Sequence, residues 1–171
     1  MEKKIVAQEL KGKKFNTILE VGCQWGENLV AIRNSFPDAQ LIGIDIDDEK
    51  LRYALDTIDN IGFLHGNVIK IGYEDNSFDV VFTEALFCML GRDEIEMALD
   101  EIVRVSNNYI ILVELDLKER IGLAEGGRTG ANWEQLLKER GMLEITKRKL
   151  TPKEWNAQPW LQYGHIIQCH K

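Results

Sequence analysis

The chain is poor in several features, and each shortage excludes something. It has three cysteines, Cys23, Cys88 and Cys169, widely scattered, with no C-x-x-C pair and no histidine at ligand spacing. That speaks against a zinc site or a disulfide framework, and no metal is expected. Lone thiols of this kind fit a reducing, cytoplasmic compartment. With three prolines and no Pro-, Gly- or Ser-rich tract, nothing reads as a linker, and one domain over residues 1–171 is expected. No apolar run approaches the roughly 20 residues of a membrane span, and the start, Met1 to Glu9, has no signal-peptide core. An excess of positive charge is also absent, since the formal net charge is -7. This argues against a nucleic-acid partner, whose footprint is usually a basic face. Lys3, Lys4, Lys11, Lys13 and Lys14 near the start, and Lys147, Arg148, Lys149 and Lys153 near the end, read as solvated faces.

What is present is an alternation of two periods. Thr17 to Val21, Leu41 to Asp45, Ile61 to His65, Phe78 to Thr83 and Tyr109 to Glu114 are short, nearly continuous apolar runs, the pattern of strands covered on both faces. Between them lie helical stripes. Ile95, Ala98, Leu99, Ile102 and Val103 fall at i, i+3, i+4, i+7 and i+8 while Glu94, Glu96, Asp100, Glu101 and Arg104 face away. Leu51, Ala54, Leu55 and Ile58 follow the acidic turn Asp47-Asp48-Glu49, and Trp133, Leu136 and Leu137 precede the C-capping Gly141. Met142 to Leu150 and Tyr163 to His170 then read as two strands with no helix between them, joined by a loop bracketed by Pro152 and Pro159. The alternation predicts an α/β fold of three layers, a mostly parallel seven-stranded sheet with helices on both faces and an antiparallel edge strand.

The stretch Ile18-Leu19-Glu20-Val21-Gly22-Cys23-Gln24-Trp25-Gly26 ends a strand on a glycine turn and opens a helix. Such a turn aims backbone N–H groups and a helix N-terminus at one spot, although the same dipeptides also serve a plain strand-to-helix connection. Three further polar positions fall at strand carboxyl ends, where ligands bind in open α/β sheets. Asp45 stands about 20 residues beyond the turn, the place where nucleoside-binding sheets set an acid against ribose hydroxyls. His65-Gly66-Asn67 follows the third strand, and Thr83-Glu84 the fourth.

With Leu41-Ile42-Gly43-Ile44-Asp45-Ile46, Asp75-Asn76-Ser77-Phe78-Asp79-Val80-Val81 and Glu101-Ile102-Val103-Arg104-Val105 in this order, the chain resembles the class I S-adenosylmethionine-dependent methyltransferases, which have a Rossmann-like fold. The likeness spans roughly residues 15 to 115, about two thirds of the chain. It implies S-adenosyl-L-methionine as cofactor. By that resemblance Glu20, Gly22, Cys23 and Gly26 hold its methionine end, Asp45 the ribose and Ile46 the adenine face. Asn67 and Val68 would meet the adenine edge, and Thr83 and Glu84 border the transferable methyl.

The sequence also departs from the family. Gln24 stands where glycine is favoured for close approach or positive φ. Leu86-Phe87-Cys88-Met89-Leu90 lacks the histidines of many relatives, and Ser106-Asn107-Asn108 replaces a Lys-Pro-Gly turn, asparagine tolerating the left-handed conformation such a turn needs. Glu84 and His65 remain candidate bases, with His165 behind them, but alignment alone supplies about 7–11 kcal/mol of a methyl-transfer barrier. The expected reaction is methylation of a small or sugar-like metabolite. Its acceptor would meet Arg120 and Arg128 in the loop Leu115 to Ala131, and Trp155 and Trp160 in the loop Thr151 to Leu161. An RNA or protein methyltransferase is the competing enzyme, weakened by Phe82-Thr83-Glu84-Ala85 where nucleic-acid enzymes carry an Asn/Asp-Pro-Pro motif. A non-catalytic S-adenosylmethionine-binding protein is the other alternative. The four tryptophans are compatible with a homodimer.

Overall fold

The computed structural model describes residues 4–171; Lys3, counted above in the first basic group, lies outside the described residues. In chain order the elements are α1 (Ile5–Glu9), β1 (Thr17–Val21), α2 (Glu27–Ser35), β2 (Gln40–Asp45), α3 (Asp48–Thr57), β3 (Gly62–His65), β4 (Phe78–Glu84) and α4 (Glu94–Val105). There follow β5 (Ser106–Leu115), β6 (Ile121–Leu123), β7 (Thr129–Ala131), α5 (Trp133–Glu139), β8 (Leu143–Lys149), α6 (Trp160–Tyr163) and β9 (Gly164–His170). Seven strands form one sheet in the order β3-β2-β1-β4-β5-β9-β8. Every pairing from β3 to β5 is parallel, and antiparallel pairing is confined to the far side, where β9 runs against both β5 and β8.

The central strands are apolar on both faces because both faces are covered. Ile18, Val80, Phe82, Ile111 and Val113 belong to one packed cluster, and Leu19, Val81, Ile110 and Leu112 to the other. On α4 the predicted stripe is realised: Ile95, Ala98, Leu99 and Ile102 are fully buried, while Val103 is half-buried at the margin. Full burial of each large member contributes about 1.5–3 kcal/mol. In α3, Leu51 and Ala54 are buried but Leu55 is exposed, so the stripe is narrower than its spacing suggests. Arg104 ties α4 to the segment before β4, donating to Glu101, Asp75 and the carbonyls of Ile71 and Tyr73.

Three details depart from the sequence reading. The loop expected over Leu115 to Ala131 contains a small antiparallel pair, β6 with β7. A single four-residue helix, α6, precedes β9 where none was expected. No turn separates α4 from β5, because Ser106 is already extended and pairs with Phe78, so Asn107 and Asn108 need no left-handed conformation. The tryptophans give no support to a homodimer face. Trp133 and Trp160 are buried, Trp155 stacks on Trp160, and Trp25 is about one third exposed. Among the described residues, no helix is long and apolar enough to cross a membrane.

Candidate active site

The turn after β1 is built from three consecutive left-handed positions at alternate residues: Gly22 (φ 80°), Gln24 (φ 48°) and Gly26 (φ 79°). Gly22 and Cys23 donate to the Ile44 carbonyl at 2.8 and 3.0 Å, which locks the turn to the end of β2. Gln24 N donates to Asp45 Oδ2 at 2.8 Å, and Asp47 N to Asp45 Oδ1 at 2.9 Å. The carboxylate of Asp45 thus stitches the two turns together while each oxygen keeps a second lone pair for a ligand. Gly43 is required beneath it, since a Cβ there would lie 2.7 Å from Cys23 Sγ. Gly26 serves packing as well, because a Cβ would lie 2.7 Å from the Phe63 ring.

Two hollows open along the carboxyl ends of β1, β2 and β4. The smaller is a recess bordered by Glu20, Glu27, Glu84, Trp25 and Asn28, with Gly22, Cys23 and Gln24 completing it. Asn28 Nδ2 donates to Glu20 Oε1 at 2.8 Å in a buried contact that aims the Glu20 carboxylate. Burial and the charges of Glu20 and Asp45 drive the Cys23 thiol pKa well up, so it stays neutral. The larger hollow is a cleft of about 540 Å³. One end is formed by Gly22, Gln24, Asp45, Ile46 and Asp47, with Leu86 against Gly22; the other by Cys88, Met89, Arg128, Trp155 and Trp160. Ile46 is 64% exposed and offers a flat apolar surface beside Asp45.

The loop between these ends is held from below. Ala85 adopts φ 57°, and Ala85 N donates to the Val113 carbonyl at 3.0 Å. Leu86 N and Thr83 Oγ1 both donate to Glu114 Oε1, at 3.0 and 2.8 Å. Glu114 is fully buried and its Oε2 has no hydrogen-bond partner. Burial pushes its pKa up to about 8, against the bonds from Thr83 and Leu86, and the Glu84 charge adds to the rise. Burial and Glu114 also raise the Cys88 thiol to about 11, so neither it nor Cys23 is a thiolate at neutral pH.

Of the residues expected at the site, the structure brings together Glu20, Gly22, Cys23, Asp45, Ile46, Glu84 and Arg128. The others lie elsewhere. His65 is exposed on the edge strand β3, 3.9 Å from Asp48. Asn67 is exposed and caps its own turn by accepting from Ile69 N. Val68 turns into the core, and Thr83 is buried beneath the loop. Gly26 closes the turn without bordering either hollow. Arg120 is drawn to the outer surface by Glu96 at 2.5 Å and Glu139 at 2.7 Å, which places it away from the cleft. Sequence reasoning missed Asn28 and Glu114. Glu114 carried a signal, an acid inside the apolar run Tyr109 to Leu115, whereas Asn28 carried none.

The fold is an open α/β sheet with an acidic recess at its switch point. Residues 18–108 match the family model described as a methyltransferase domain. The chain belongs to the class I S-adenosylmethionine-dependent methyltransferase family, and S-adenosylmethionine is the cofactor of that family. Among individual proteins, it is 31% identical over 118 residues to an uncharacterised methyltransferase of Schizosaccharomyces pombe, covering 61% of this chain and 42% of that one. It is 28% identical over 83 residues to a demethylmenaquinone methyltransferase of Staphylococcus aureus, covering 46% of this chain and 34% of that one. The chain therefore spans less than half the length of these curated relatives. In fold it is similar to a SAM-dependent methyltransferase from Aquifex aeolicus, with TM-score 0.73 at 20% identity over 99% of this chain and 89% of that one.

Proposed function

We propose that the protein transfers a methyl group from S-adenosylmethionine to a small organic acceptor held in the cleft. The observation that carries this reading is the juxtaposition of an acidic recess with a cleft that runs from Asp45 to apolar walls at Met89, Trp155 and Trp160. The donor's chemistry fits the residues present. Its ammonium and sulfonium are cationic, and the recess offers the carboxylates of Glu20, Glu27 and Glu84 with no lysine or arginine, among the described residues, on its walls. The ribose hydroxyls would donate to the open lone pairs of Asp45, and the adenine would lie on Ile46.

Bound there, S-adenosylmethionine supplies an activated methyl group on a sulfonium. The chain's own contribution is to orient and to exclude water. Among the described residues no histidine borders the cleft, so approximation is the main device. Glu84 borders the recess of the donor, which assigns it to holding positive charge rather than to drawing a proton from the acceptor. The basic groups support a small acceptor over RNA: Lys13 and Lys14 sit with Asp79 at the opposite end of the strands, Lys147 pairs with Asp116, and Arg148 pairs with Glu9 and Glu154. The test is transfer of labelled methyl from S-adenosylmethionine to fractionated metabolites and to total RNA. Label in a low-mass fraction is expected; label confined to RNA or protein would overturn the acceptor class.

A further inference from the structure

The acceptor end of the cleft holds one cation and one flat wall. Arg128 places Nη1 3.8 Å from Cys88 Sγ and 3.6 Å from Met89 Sδ. Both sulfurs are weak acceptors, and the Cys88 thiol is neutral. Of the other arginines, Arg104, Arg120, Arg140 and Arg148 hold carboxylates, Arg33 and Arg92 hold main-chain carbonyls, and Arg52 is exposed on α3, away from the cleft. Among the described residues no carboxylate pairs with Arg128. A guanidinium is a planar fork matched to a planar anion, and this one stands over the cleft with only soft partners.

The wall is equally specific. Trp155 and Trp160 stack at 4.1 Å between ring centroids and 19° between planes. Trp160 is only 4% exposed and its ring is covered by Trp155, so the half-buried Trp155, backed by Trp160, is the ring the pair offers to the cleft. The remaining cation there, Lys50, is ion-paired to Asp47 at 3.2 Å at the donor end. A single unpaired positive charge balances a monoanion better than a phosphate dianion.

We propose that the acceptor is a small planar acid, an aryl or conjugated carboxylate, whose carboxylate seats on Arg128 and whose planar body lies along Trp155. This rests on the methyltransferase reading of the cleft and names the substrate class within it.

Calorimetric titration tests it with three probes: 2-naphthoate, its neutral carboxamide, and the non-planar cyclohexanecarboxylate. Each is titrated into the protein with and without saturating S-adenosylhomocysteine. The wild type should favour naphthoate over the carboxamide by roughly tenfold or more, the range of a charge-assisted contact, and over cyclohexanecarboxylate by a smaller margin. Arg128→Gln should erase the preference for acid over amide while leaving S-adenosylhomocysteine affinity within about twofold. Trp155→Leu should erase the preference for the planar acid. Equal binding of acid and amide by the wild type, no binding of naphthoate, or a preference that survives Arg128→Gln would each overturn the proposal. Failure of S-adenosylhomocysteine to bind the wild type counts against the methyltransferase reading instead, and the titrations without it still report on the acid site.

Discussion

Replacing Glu114 by glutamine should flatten the fall of stability with rising pH. The carboxyl is fully buried at the end of β5, and its pKa stands near 8 in the folded chain against an ordinary 4.5. Between those values the folded chain keeps a proton that the unfolded chain releases. Stability is therefore highest below 4.5 as far as this group is concerned, and it declines as pH rises through 8. Each pH unit inside the window changes the folding equilibrium by up to about tenfold, so pH 5.5 to 7.5 should cost about 3 kcal/mol from this group. The carboxylates with lowered pKa, such as Glu101 beside Arg104 and Glu154 held at about 2 by Arg148, lose their contributions below the ordinary range, outside this interval. Glutamine keeps an acceptor for Thr83 and Leu86 and cannot ionise. Urea unfolding of both proteins at pH 5.5, 6.5 and 7.5 measures the difference. Glutamine can lower stability at every pH by burying an amide, but the slopes should still diverge. Parallel pH profiles would refute the argument and mean that Glu114 is not the buried acid described here.

Asn28→Ala should weaken S-adenosylhomocysteine binding several-fold without unfolding the chain, because Glu20 loses the bond that aims it, worth about 1.5–3 kcal/mol at most; unchanged calorimetric affinity would remove the positioning role. Gln24→Gly should keep cofactor binding and raise stability by up to about 1 kcal/mol, since the left-handed penalty of about 1–2 kcal/mol exceeds the entropy cost of glycine. Gly26→Ala should do the reverse, losing roughly 1–3 kcal/mol through the Phe63 clash and a strained φ. Thermal melts of the two variants shifting in the same direction would contradict the turn geometry.

The sheet was legible because parallel strands buried on both faces leave continuous apolar runs, and those runs order the carboxyl ends. Glu20, Asp45 and Glu84 could be brought to one edge from spacing alone, since each ends or nearly ends a strand. What spacing could not resolve is direction after a strand ends. Val68 follows β3 by three residues yet turns into the core, and Asn67 spends its carbonyl on Ile69 N. Arg120 and Arg128 looked equivalent in one long loop, but β6 lies between them and pairs with β7, and the acids Glu96 and Glu139 on α4 and α5 capture Arg120. Those partners are distant in sequence, so no local pattern announces them. Asn28 was invisible for the same reason: its role depends on Glu20 across a turn.

The central claim is that Asp45 and the acidic recess form the S-adenosylmethionine site, and calorimetric titration of S-adenosylhomocysteine tests it most directly. Asp45→Asn is the informative variant, because its amide oxygen still accepts from one of the Gln24 and Asp47 amides, both of which alanine would release. The account predicts one site per chain in the wild type and affinity lower by about tenfold or more in Asp45→Asn, from loss of a charged acceptor to the ribose hydroxyls. No binding by the wild type, or equal affinity in the two proteins, would contradict it.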